Sequence, residues 1–214
     1  MITLRQSIPL LALLGMVAVS GCSTMQRQPP PDPGAAWRAQ QQVLQQLTGW
    51  ELRGRIAIRS SSDGVNANLH WRQQADRYRI RLSGPFGAGA VTLSGDRNGV
   101  TMRDRGRLLM RHGDAERLLY QQSGVRLPVA SLGYWVRAMP RPGSGARVLL
   151  DRMGRLKELR QDGWRIRYRR YLRNRGVELP SRLLAENGQL RVRLVIDRWV
   201  VTRMRRAGTN PLSG

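Results

Sequence analysis

Arginine recurs at every second residue in several stretches of the chain: Arg53 and Arg55, Arg79 and Arg81, Arg165, Arg167 and Arg169, and Arg191 and Arg193. A spacing of two throws alternate side chains onto opposite faces of an extended strand, so these stretches are not amphipathic helices. Each must set one apolar face against a core and one charged face in water. The residues between comply: Trp50, Leu52, Ile56 and Ile58 alternate with Glu51, Arg53, Arg55, Ala57 and Arg59. After a turn over Ser60 to Gly64, Val65, Ala67, Leu69 and Trp71 alternate with Asn66, Asn68, His70 and Arg72. Tyr78, Ile80 and Leu82 then face in while Arg77, Arg79 and Arg81 face out.

Shorter strands follow around Val91 and Leu93, Val100 and Met102, and Leu108 and Met110. The pattern returns over 148–151, 156–161, 164–171, 179–185 and 190–199. About eleven strands joined by short turns predict one antiparallel meander, a strongly curved open sheet in an α+β protein that is mainly β. Three helices are expected. The first runs from Ala36 to Leu47, with Trp37, Gln40, Leu44 and Leu47 on one stripe and Gly49 beyond its end. Asp114 can cap a second over 115–122. Pro128 suits the first position of a third, whose Leu132, Trp135, Val136 and Met139 make an i, i+3, i+4, i+7 stripe before Pro140. The helices are the natural cover for the apolar face of the sheet. Where they cover it incompletely, an apolar cavity is left.

The start of the chain reads as a leader. Arg5 precedes an apolar run from Ile8 to Val19, then come Ser20, Gly21 and the only cysteine, Cys22. The run is too short to cross a bilayer, which needs about 20 residues, so removal of residues 1–21 is expected. Val19-Ser20-Gly21-Cys22 resembles the lipobox of bacterial lipoproteins. The resemblance implies a diacylglyceryl group on the Cys22 sulfur, cleavage before Cys22 and acylation of the freed amine. Ser23 stands where Asp would retain such a protein at the inner membrane, which implies the outer one. Residues 22–34, with Pro29-Pro30-Pro31 and Pro33, read as a semi-extended tether. Residues 35–201 read as one domain and 202–214 as a frayed basic tail.

The formal charge of +23 is carried almost wholly by arginine, Lys157 being the one lysine. On strands these arginines are first a solvated face and second a docking patch for acidic protein or anionic lipid. Export argues against nucleic acid. An enzyme is not expected. His70 and His112 stand apart with no carboxylate at useful spacing, the only thiol is the lipidated one, and no serine sits in a nucleophile elbow. No metal or free cofactor is expected. One loop stands out: Gly84-Pro85-Phe86-Gly87 holds the chain's only phenylalanine among turn-forming residues. Such a ring is either tucked back or an exposed apolar fingertip.

Several segments together resemble the LolB family of outer-membrane lipoprotein receptors in the lipoprotein-localisation (Lol) system. They are Gly49-Trp50 with Gly54-Arg55-Ile56-Ala57, Leu69-His70-Trp71, Tyr78 to Gly87, Leu127-Pro128-Val129 with Leu132 and Tyr134-Trp135-Val136, Gln161-Asp162-Gly163-Trp164 with Tyr168, Leu179-Pro180 and Leu190 to Trp199. The resemblance implies an eleven-stranded half-barrel lidded by helices. It also implies a monomer that accepts triacylated cargo lipoproteins from a periplasmic LolA-like carrier and inserts them into the outer membrane. The family's membrane-insertion loop carries an exposed leucine, and Phe86 takes that place here. Candidate walls of the acyl-chain cavity are Ile56, Ile58, Leu69, Trp71, Ile80, Leu82 and Ile166 on the sheet, with Leu132, Trp135, Val136 and Met139 on the helix; ordinary core is the competing reading for each. A structural or envelope-assembly lipoprotein without an acyl ligand is the competing function.

Overall fold

A computed structural model describes residues 32–84, 89–123 and 126–204 of the chain. Cys22, Pro85, Phe86 and Gly87 therefore lie outside the described residues. The order of elements is α1 (Pro33–Gln46), β1 (Leu47–Arg59), β2 (Gly64–Gln74), β3 (Arg77–Ser83), β4 (Ala90–Asp96), β5 (Gly99–Asp104), β6 (Arg107–His112), α2 (Ala115–Ser123), α3 (Val129–Trp135), β7 (Ala146–Leu150), β8 (Leu156–Gln161), β9 (Trp164–Asn174), β10 (Val177–Glu186) and β11 (Arg191–Met204). Among the described residues, no helix is long and apolar enough to cross a membrane.

All eleven strands form one antiparallel sheet, in the order β6-β5-β4-β3-β2-β1-β11-β10-β9-β8-β7. It is curved and open, a half-barrel with three helices. The expectation of a single meander is corrected: β1 pairs with β11, so two meanders are zipped together by the first and last strands. The strands bounding the α2–α3 connection, β6 and β7, become the two free edges. Helices α2 and α3 thus belong to the segment that joins one edge of the half-barrel to the other.

Bulges help to supply the curvature. Arg53 faces Arg198 but Gly54 faces Ile196, so Asp197 is the extra residue. Asp197 and Arg198 both face out, and inward alternation resumes at Trp199. Gly54 is required there, because a Cβ would lie 2.1 Å from the Val195 carbonyl oxygen. A second irregularity, where Leu183 pairs with Tyr168 and Arg182 with Arg170, turns Arg169 and Arg170 out together. An extra residue bends its strand and raises the local twist, which curls the sheet around its apolar face.

The helices depart from expectation in detail. Asp32 caps α1, its Oδ1 accepting from the Gly34 amide at 2.8 Å, and Pro33 opens the helix three residues before the expected start. Asp114 caps α2 as expected, accepting from the Glu116 amide at 2.9 Å. Pro128 is the residue before α3, not its first. The helix ends at Trp135, and a tight turn through Ala138, at φ 57°, redirects the chain.

Candidate functional site

The concave side of the sheet divides into a filled half and a hollow half. Under β8 to β10 it is filled. Trp135 is fully buried, packs at a tilt against Trp164 with ring centroids 5.8 Å apart, and donates from Nε1 to Gln161 Oε1 at 3.0 Å. Gln161 also accepts from the Arg141 amide and donates to the Arg141 carbonyl, both at 2.8 Å. Tyr168 donates its hydroxyl to the Trp135 carbonyl at 2.9 Å, and burial holds its pKa well above the ordinary tyrosine value. Leu159, Ile166, Leu179 and Ala185 fill the remaining space with no measurable exposure. The Trp135 indole, the Gln161 amide and the Tyr168 hydroxyl each have a partner, which is how a close-packed interior tolerates them.

Under β1 to β5 the concave side is open. A cavity of about 550 Å³ lies between these strands and α3, within the usual range for small-ligand sites. Eight of the eleven residues expected to line it do so: Ile56, Ile58, Leu69, Trp71, Ile80 and Leu82 from the sheet, with Leu132 and Val136 from the helix. The other three do not. Trp135 points to the filled half because on the helical wheel it lies about 60° from Leu132 on the side away from Val136, about 100° round from the latter. Met139 leaves the stripe at the Ala138 turn. Ile166 lies on β9, fully buried in the core cluster that holds Trp135 and Trp164.

The lining also includes residues not singled out as site residues: Val65, Ala67, Val91, Leu93, Met102, Leu109, Leu119, Leu127 and Val129. For Val91, Leu93 and Met102 the signal was the same inward alternation carried on through β4 and β5, and for Val65 and Ala67 that of β2. Asn66, Ser83 and Asp104 are polar members of the wall. The cavity runs along β3 from Ile80 to Gly84. Tyr78, one inward position further along β3, lies over Gly95, where a Cβ would meet its ring at 2.4 Å. At the other end the lining includes Gly84 and Gly89, the described flanks of the Pro85–Ala88 segment, and the Gly84 amide donates to the Gly89 carbonyl at 3.3 Å.

The wall is held on both sides. Gly133 of α3 rests on Trp71, which packs on Trp50 at 5.3 Å; Trp50 in turn meets Trp199 at 5.4 Å. Arg137 fixes the end of α3. It donates from Nε to the Gly133 carbonyl at 3.0 Å and from Nη1 to the Leu47 carbonyl at 3.2 Å, and burial pushes its pKa down. On the convex face His70 serves the wall indirectly. Leu69 and Trp71 face the cavity, while His70 between them sits 2.8 Å from Glu51, which also accepts from Arg53 and Arg72. Burial raises the Glu51 pKa, but hydrogen bonds from Arg72, Arg53 and His70 outweigh it and bring it to about 2. Among the described residues, no cluster of His, Cys, Asp or Glu could hold a metal ion.

The chain matches the family described as outer membrane lipoprotein LolB over residues 48–199. It is 39% identical over 192 residues to the outer-membrane lipoprotein LolB of Chromohalobacter salexigens, covering 87% of this chain and 88% of that one. It is 38% identical over 191 residues to the LolB of Ectopseudomonas mendocina, covering 89% and 92%. Among solved structures, a LolA-superfamily protein from Nitrosomonas europaea aligns at 8% identity with a TM-score of 0.47, over 81% of this chain and 94% of that one. The family match takes in the sheet from β1 to β11 together with α2 and α3, so it covers both walls of the cavity. The chain belongs to the LolB family of outer-membrane lipoproteins.

Proposed function

We propose that this protein is the acceptor at the outer membrane. It receives triacylated lipoproteins from a soluble LolA-like carrier in the periplasm and inserts them into the inner leaflet. The observation that carries this reading is the apolar cavity under β1 to β5. A structural lipoprotein with no ligand has no use for an open apolar hollow beside a close-packed core. Family membership supports the same reading.

The mechanism is binding, not catalysis. Exposing acyl chains to water costs about 0.8 kcal/mol per CH₂, so the chains must pass from one apolar enclosure to the next. Direction comes from affinity alone: the receptor binds more tightly than the carrier, and the membrane more tightly than the receptor. Cys22, carrying a diacylglyceryl group and an N-acyl chain, holds the domain at the membrane, and residues 22–34 let it reach. Two or more chains give the stable anchoring that a single chain does not. Phe86, between the cavity's flanking Gly84 and Gly89, is the tip that enters the lipid.

A reconstituted transfer without ATP tests this reading. Purified carrier loaded with a lipoprotein is mixed with the receptor and with vesicles. The wild type should strip the carrier and deliver cargo to the vesicles. Phe86→Glu should still strip the carrier and should fail to deliver, because a carboxylate opposes entry into the acyl layer. Failure of the wild type to take cargo would remove the reading, and full delivery by Phe86→Glu would remove the role of the loop.

A further inference from the structure

We propose that the β5–β6 hairpin is a second membrane contact, one that takes anionic phospholipid head groups. It closes through Arg105 and Gly106, at φ 47° and 87°, the left-handed pair of a two-residue hairpin turn. The register sets Val91 against Asp104 and Ser83 against Ala90, so this turn and the Ser83-to-Ala90 connection emerge at the same end of the sheet. The cavity opens there too, since Asp104 and Leu109 belong to its lining.

Two kinds of side chain meet at this hairpin. Leu108 and Leu109 are 52% and 49% exposed, on a free edge strand. Bare leucines on an unpaired edge invite aggregation unless something covers them. Arginines surround them. Arg107 has no carboxylate partner among the described residues. Arg103 donates to the Gly106 carbonyl at 3.1 Å. The one acidic residue in reach of Arg105 is Asp104, at 3.9 Å, and the two side chains are 78% and 38% exposed, a pair of negligible strength. Apolar residues that can enter an acyl layer beside cations at head-group depth are the pattern of an interfacial membrane contact. A purely apolar partner would leave the guanidinium groups without counter-charge, and an acidic protein surface would leave the leucines against polar groups.

The inference borrows from the receptor reading only the presence of a bilayer, and its test uses no cargo, so the two can fail separately. In the acylated full chain, Leu108→Cys, on the hairpin but outside the cavity lining, supplies the free thiol for an environment-sensitive fluorophore. The labelled protein is reconstituted into vesicles of phosphatidylcholine alone or of phosphatidylcholine with phosphatidylglycerol. A blue shift is expected with phosphatidylglycerol and not without it. High salt should reverse it, and Arg105→Glu with Arg107→Glu should abolish it. A label at Met153→Cys, in the β7–β8 turn at the opposite end of the sheet, should not respond. Equal emission from both vesicle types, a shift that survives the double charge reversal, or a shift that needs added carrier would each overturn the proposal.

Discussion

Trp135→Ala should lower the unfolding free energy by about 4 kcal/mol, measured by urea denaturation followed by circular dichroism. The indole is fully buried, packed against Trp164 and bonded to Gln161, in a half of the barrel with no slack to close over the loss. A domain of ordinary stability has about 5–15 kcal/mol in total, so much of the margin would go. Trp135→Phe, which keeps most of the volume and forfeits the Nε1 bond to Gln161, should cost about 1–2 kcal/mol. Leu82→Ala is the contrast. Leu82 borders a space that is already empty, and its removal should cost about 1 kcal/mol. Similar costs at Trp135 and Leu82 would mean that the two halves are not packed differently.

The second large effect concerns ligand. Ala67 points inward from β2, opposite Ile56 of β1, with open space before it. Ala67→Trp puts an indole into that space. The fold should survive, because an aromatic ring buried in an existing apolar void is not overpacking. Affinity for a fluorescent fatty acid should fall at least tenfold, read by titration, while the midpoint of thermal unfolding stays the same or rises. Unchanged probe affinity would show that acyl chains bind elsewhere.

Much of this was legible in the sequence, for one physical reason. The two-residue period of arginine and aliphatic residues fixes strand, face and register together, so β1 to β3 and their inward sets follow directly from it. Two things were not legible. Pairing of β1 with β11 joins residues about 140 apart, and the strand pattern alone does not say which edges meet. Whether an inward aliphatic residue packs or lines a void depends on what stands across from it. Ile80 and Ile166 are alike in their strands, yet Ile80 faces the hollow and Ile166 is fully buried in the same core cluster as Trp135 and Trp164. The hint lay partly in composition: β9 and β10 send Trp164, Tyr168, Leu179 and Leu183 inward, whereas β4 sends Val91 and Leu93, and β2 sends Ala67 beside Leu69 and Trp71. The helix stripe misled for a related reason, since Ala138 takes a left-handed conformation that no periodicity announces.

The most direct measurement is where the cargo's acyl chains lie. A lipoprotein carrying a photoactivatable acyl chain is loaded onto the receptor, irradiated, and the adducts are mapped by mass spectrometry. Adducts should fall on the residues that face the hollow, Ile56, Leu69, Ile80, Leu82 and Leu132 among them. Adducts confined to β8, β9 and β10, or absent from the concave face altogether, would contradict a receptor that carries lipid in its open half.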